Sequence, residues 1–333
     1  MRKAIVRVIG QTGNDLIPGW KSTLESVTFT DNEGGEADEL EMVFMVAPPF
    51  QKPPEKGTRY SLEYGWSEGA MRNAGVFTFQ SASLNKSAGD GWTMSITARS
   101  ADFVDADKSS DTEHFESTTA GAVFEKLAKE AGKSAVIDGD ISKIEIPYRL
   151  RFGQSSLGFA QSLADEIGGS LKLAGGKWIV AAKGASRTAS GKAIPPLVVA
   201  LDAVIDCGLS TEGRPDYATV ESGYFDDEAG RWVTEQTVGK GKSSRTAVMH
   251  PSASAGEAKI RGSAEVTDLT RASITGSLTV EGDVNAMAGA PLSLPGFGEW
   301  AGSDLTAGTL SHSFTFDENG GWLMTIEIAA KKQ

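Results

Sequence analysis

The chain has 333 residues, 40% of them hydrophobic, and a formal net charge of −12 at pH 7. That length suggests two or three domains with real cores, while the acidic balance speaks against a general nucleic-acid binder and against docking on anionic lipid, since both need basic surface. A single cysteine, Cys207, excludes an intrachain disulfide and any multi-cysteine metal site and reads as a small buried apolar residue.

No apolar run approaches the ~20 residues that span a bilayer. The opening stretch MRKAIVRVIGQTGND is too interrupted for a secretory signal. No membrane anchor is expected, and synthesis in a cytoplasm is. The first hundred residues read as strands. In ELEMVFMV, Leu40, Met42, Phe44 and Val46 share one face by period two. RYSLEYGW does the same with Tyr60, Leu62, Tyr64 and Trp66. GVFTFQSASL and GWTMSITA read as hairpin partners, the latter with Trp92, Met94, Ile96 and Ala98 on one side and Thr93, Ser95 and Thr97 on a wet side.

From about residue 105 the period becomes helical. In STTAGAVFEKLAKEAG, Ser117 or Thr118 is the expected N-cap, Val123, Phe124, Leu127 and Ala131 form the stripe, and Gly132 is the stop. SSLGFAQSLADEIGG repeats the design with Ser155 or Ser156 as cap and Leu157, Phe159, Ala160, Leu163 and Ile167 as stripe. SLKLAGGKWIVAAKG follows as a hairpin turning at Gly175-Gly176. GASRTASGKAIPP has linker composition. Strands return in YATVESGYFDDEAGRWVTEQTV, with a turn at Asp226–Gly230. GKGKSSRTAVMHPSASAGE reads as an exposed loop, Ala255–Ala272 as a helix weakened by Gly262, SITGSLTVEGD as a strand and GTLSHSFTFDENGGWLMTIEIA as the closing hairpin.

The two ends resemble each other. Gly91, Trp92, Met94 and Ile96 match Gly321, Trp322, Met324 and Ile326 at an offset of 230. Gly75 aligns with Gly308 at 233, and Gly57 with Gly289 at 232. Three collinear blocks argue for internal duplication. The expected fold is mainly β with an α+β insert: two similar antiparallel β-barrel, tube-like domains flanking a small α/β domain. The domains are placed at 1–104, 105–185 and 199–333, with a linker over 186–198 and one helix in the last. Three such chains would present six near-equivalent units and match a threefold object to a sixfold one.

The stretch DNEGGEADELEMVF resembles the phage late control D protein family, the baseplate hub of contractile-tailed phages, similar to the N-terminal hub part of type VI secretion spike proteins. The residues that carry the resemblance are Asp31, Asn32, Gly34, Glu36, Ala37, Asp38 and Leu40, joined by Arg99 and Asp102 in ITARSADF. The two helix segments extend it over roughly residues 20–180. In the second helix Ser156, Leu157 and Gly158 stand where the family usually has an acidic residue and a bulkier aromatic. The resemblance implies a structural homotrimer at the virion tail tip, adapting the sixfold tail tube to the threefold central spike. Its partners would be itself, the tail tube protein, the spike, the tape measure and other baseplate proteins.

Candidate chemistry is sparse. Asp31, Glu33, Glu36 and Asp38 fail the EF-hand pattern, because position 5 is Gly35 and position 12 is Met42; a solvated turn is expected instead. His114, His250 and His312 lack metal-ligand spacing. GKGKSS lacks the spacer and context of a phosphate loop. Trp92 and Trp322 read as core residues rather than interface anchors. No catalytic, metal or cofactor residue is expected, and the chain is read as a non-enzyme. The competing readings are a tail-associated cell-wall hydrolase and a carbohydrate-binding adhesin.

Overall fold

The computed structural model describes residues 2–89, 91–100, 110–183, 185–211, 217–238, 245–249, 251–271, 274–301, 305–316 and 320–330. Strands make up 54% and helices 17%, so the chain is mainly β, arranged in several sheets.

The first set of strands comprises β1 (Ala4–Ile9), β2 (Leu24–Asn32), β3 (Glu39–Val46), β4 (Arg59–Trp66), β5 (Met71–Ser87) and β6 (Gly91–Arg99), with the short α1 (Ile17–Trp20) between β1 and β2. The middle segment runs β7 (Ser110–Thr119), α2 (Ala120–Glu130), β8 (Ser134–Ile137), α3 (Gly139–Ser142), β9 (Glu145–Ser155), α4 (Ser156–Glu166), β10 (Gly169–Ala174) and β11 (Lys177–Ala182). The last part holds β12 (Leu197–Val198), β13 (Val204–Thr211), β14 (Tyr217–Asp226), β15 (Arg231–Val238), β16 (Arg245–Val248), α5 (Ala255–Arg271), β17 (Ile274–Glu281), β18 (Pro291–Ser293), β19 (Leu305–Thr315) and β20 (Trp322–Ala330).

The first six strands lie in the order β1-β4-β5-β6-β3-β2, and β2 pairs onward to β19. Around β19 the order is β12-β18-β19-β20-β17-β13. Counted within each set in chain order, both sets therefore read one-four-five-six-three-two. The two sets form one continuous sheet, and among the described residues no ladder closes either set on itself.

Register repeats as well as order. The β2–β3 ladder has a bulge between Leu24 and Ser26 opposite Phe44 and Val43. The β13–β17 ladder has one between Val204 and Asp206 opposite Val280 and Thr279. Phe44 faces Met94, and Val280 faces Met324. A second bulge lies between Phe79 and Ser81 opposite Ala98 and Thr97, and its counterpart between Ala307 and Thr309 opposite Ile328 and Glu327. Both bulges bring β6 and β20 into the same alignment, in which Trp92, Met94 and Ile96 coincide with Trp322, Met324 and Ile326. The bulge also corrects one block of the sequence alignment: Gly308 coincides with Gln80, not with Gly75. Gly57 and Gly289 both precede strand four with φ of 85° and 82°, a left-handed turn that suits glycine. The sets differ at their first strand, since β1 runs antiparallel to β4 and β12 parallel to β18.

The sets also differ between strands two and three. In the first, residues 33–38 bridge them directly. In the second, an excursion carries the three-stranded sheet β15-β14-β16 with α5 packed on it. Arg245–Val248, expected in a loop, pairs parallel with β14 there. The GKGKSS lysines at 240 and 242, and His250, lie outside the described residues.

In the middle segment, α2 and α4 cover the sheet β10-β11-β8 around Trp178, which is fully buried. The cap of α2 is Thr119, whose side chain accepts from the Ala122 N–H, rather than Ser117 or Thr118. The reason is that β7 runs through Thr119 before the chain turns. Ser155 caps α4 by accepting from the Gly158 N–H.

Candidate functional site

The turn from β2 to β3 carries the motif residues, and its two aspartates are covered rather than solvated while Gly35 and Glu36 stay exposed. Asp31 and Asp38 are each 4% exposed. Lys172 of β10 reaches into the turn, its Nζ pairing with Asp31 Oδ1, lying 3.0 Å from Asp38 Oδ1 and donating to the Asn32 carbonyl at 2.8 Å. From the second set, the Ala288 N–H donates to Asp31 Oδ2 at 3.2 Å. Arg72 of β5 stands 3.8 Å from Asp31 Oδ2 and donates to the Ala286 carbonyl. One carboxylate pair thus ties together both β sets and the middle segment.

The other motif residues build the turn itself. The Asn32 N–H donates to Asp38 Oδ1 at 3.0 Å and its side-chain amide to the Ala37 carbonyl at 3.1 Å. Gly34 lies so close to Ser170 that a Cβ would sit 2.6 Å from the serine Cβ. Leu40 is in the core, Glu36 is exposed, and Arg99 pairs with Glu39 at 2.8 Å. Asp102 lies outside the described residues.

Burial raises the Asp31 carboxyl, but the Lys172 charge and hydrogen bond, the Ala288 N–H and Arg72 outweigh it and hold it below the ordinary range. Burial, against the pull of Lys172 and with the push of Asp31, raises Asp38 to about 6. Burial lowers Lys172, and the two carboxylates more than reverse this. The arrangement fixes the geometry of the turn. Among the described residues no three His, Cys, Asp or Glu side chains are placed to hold a metal.

The duplicated tryptophans have different environments. Trp322 is 1% exposed, packed against Trp66 at 5.0 Å, Phe314 at 5.2 Å and Tyr64 at 5.4 Å, and its indole N–H donates to His312 Nδ1 at 3.2 Å. Met324 and Ile326 are fully buried with it. His312 stacks on Phe29, and burial lowers it to about 4, so it is neutral. Trp92 and Met94 are only half-buried, while Ile96 is buried. Trp92 meets Phe50 at 5.0 Å and the Lys86 ammonium at 5.4 Å, beside an open groove of about 810 Å3 lined by Trp20, Phe44, Met45 and Tyr60. Gly91 and Gly321 both sit exposed at the entry to these strands. Cys207, expected inside, is exposed on β13, which among the described residues is paired on one edge alone.

No family model matches the chain. Over 219 residues, 66% of the chain, it is 28% identical to a "probable baseplate hub protein" of Escherichia phage 186. The chain is similar to the phage baseplate hub proteins. It spans about half of that relative, the match covering 54% of it. Its fold is shared with a tail protein from Neisseria meningitidis MC58, at 12% identity and a TM-score of 0.70 over 98% of this chain and 96% of the other. It is also shared with a chain of the Francisella PdpA-VgrG complex, at 9% identity and a TM-score of 0.55 over 99% of this chain and 58% of the other.

Proposed function

We propose that the chain is a structural baseplate hub of a contractile phage tail, without enzymatic activity, and that it assembles as a homotrimer joining the sixfold tail tube to the threefold central spike. One observation carries this reading: the same six-strand order is built twice, with two matching bulges, and the two sets are joined through β2 and β19. Head-to-tail contacts generate rings when the rotation closes. Three chains with two units each then offer six near-equivalent faces to a tube on one side and three chains to a spike on the other. Each unit is read as a tube-like barrel, over 1–104 and 199–333. The α/β segment at 105–185 braces them through Lys172, and 186–198 is the connection.

The likeness to the phage 186 hub protein and to a chain of the PdpA-VgrG complex supports a place at the tail tip, with tube, spike, tape measure and other baseplate proteins as neighbours. Light scattering tests the assembly: the expected mass is three times 35.0 kDa, alone or once the spike protein is added. A single-chain mass under both conditions refutes the trimer. Peptidoglycan clearing on a zymogram, abolished by one carboxylate substitution, would replace the hub reading with a hydrolase.

A further inference from the structure

The joint between the two β sets describes a second joint that one chain cannot make by itself. Inside the chain, strand two of the first set pairs antiparallel with strand five of the second, from Ser26 opposite Thr315 to Asn32 opposite Thr309. The other strand two, β13, and the other strand five, β5, are left over. The matching bulges fix how they correspond. Val27 and Phe29 of β2 coincide with Cys207 and Leu209 of β13. His312 and Phe314 of β19 coincide with Leu84 and Lys86 of β5.

Both leftover edges are open. Among the described residues β13 pairs with β17 alone. On β5, the β4 ladder ends at Thr78, and among the described residues no ladder covers that edge from Ser81 to Lys86. Ile205 on β13 is 61% exposed and Leu84 on β5 is 45% exposed. Long open edges with apolar side chains template pairing with another chain.

We propose that β13 of one copy adds antiparallel to the Ser81–Lys86 edge of β5 in the next copy, in the register that β2 adopts on β19. That register sets Cys207 opposite Lys86 and Leu209 opposite Leu84. It replaces the buried Phe29–His312 stack of the internal joint with an aliphatic pair. The same placement accounts for the unequal tryptophans. Trp322 is sealed by Tyr64 and Trp66 of the adjoining set, and the groove at Trp92 receives the adjoining set of the next copy. Each chain carries one donor edge and one acceptor edge, so the contact is heterologous and runs around a ring. The pairing rests on the trimeric hub reading and adds its register.

The lone native cysteine makes the test direct. Antiparallel partners have Cα atoms about 4.5–5.5 Å apart, within the reach of a disulfide. Lys86→Cys protein, treated with diamide so that its thiol and Cys207 of the next copy are oxidised to one disulfide, is run on a non-reducing gel. The expected product is a reductant-sensitive covalent trimer, at least tenfold more abundant than from Ser83→Cys, which lies off register from Cys207. A scattering mass of three chains with no cross-link at position 86 overturns this register and leaves the hub reading standing. A single-chain mass with no cross-link overturns both. A cross-linked ladder running past three keeps the pairing and refutes ring closure. Leu84→Asp gives a second reading: unchanged circular dichroism with loss of the trimer supports the pairing, and a retained trimer counts against it.

Discussion

Lys172→Met tests whether the Asp31–Asp38 junction is held as described. The substitution keeps the aliphatic stem but removes the cation two buried carboxylates share. Breaking a buried ion pair by deleting one partner costs about 3–5 kcal/mol, because the remaining charge is left uncompensated. The cost should depend on pH. Asp38 holds its proton up to about 6 when folded, against 3.8 as the reference. Between those values the folded chain binds more protons than the unfolded one, so Asp38 contributes stability at low pH that is lost as pH rises through about 6. In the variant, protonated Asp38 at pH 5 removes one of the two stranded charges. Urea unfolding should therefore show a loss of about 3–5 kcal/mol at pH 8 and a loss smaller by ~1–2 kcal/mol at pH 5. Asp38→Asn combined with Lys172→Met should recover part of the pH 8 loss non-additively. A loss below about 1 kcal/mol at pH 8, or an equal loss at both pH values, would refute the account.

Three further outcomes follow from packing. Trp322→Ala should cost about 3–5 kcal/mol in urea unfolding, whereas the half-buried Trp92→Ala should cost the isolated chain far less. Gly282→Ala should destabilise by about 1–3 kcal/mol or more, since its Cβ runs into the Trp322 indole; a melting temperature equal to wild type would contradict the packing. His312 is lowered from 6.5 to about 4 by burial. The unfolded chain therefore takes up this proton first, and stability falls as pH drops from about 6.5 towards 4, by up to ~3 kcal/mol. His312→Gln should flatten that slope in a pH series of unfolding curves, and an unchanged slope would count against it.

Much of the fold is legible because its cause is local. ELEMVFMV and RYSLEYGW alternate, and Leu40, Met42, Leu62 and Tyr64 are all fully buried. The two middle helices carry apolar stripes that settle on Trp178. What escapes has a distant cause. The acidic turn has the composition of a solvated one, and the residue that pairs with its two buried aspartates, Lys172, lies 141 positions from Asp31. Nothing near Asp31 announces that cation. Gly308 misaligned because the pattern of a strand is indifferent to a bulge, which only the ladder reveals. The expectation for Cys207 rests on the usual preference of cysteine for interiors, but among the described residues its strand has no second neighbour. The helix cap moved to Thr119 because strand pairing with β9, not side-chain preference, decides where β7 ends.

The joint between β2 and β19 also has a consequence in time. Thr309 bonds to Asn32, 277 residues earlier in the chain. At translation speeds of ~5–20 residues per second, β2 is complete roughly 14–55 s before its partner emerges. Throughout that delay Val27 and Phe29 lack a neighbour on one flank, and the only strands at hand are the chain's own earlier ones or those of other nascent copies. The excursion through β14–α5 lengthens the wait. Crowded polysomes are therefore where this sheet is most open to being stitched to the wrong molecule, and its penultimate strand is the one that ends the hazard.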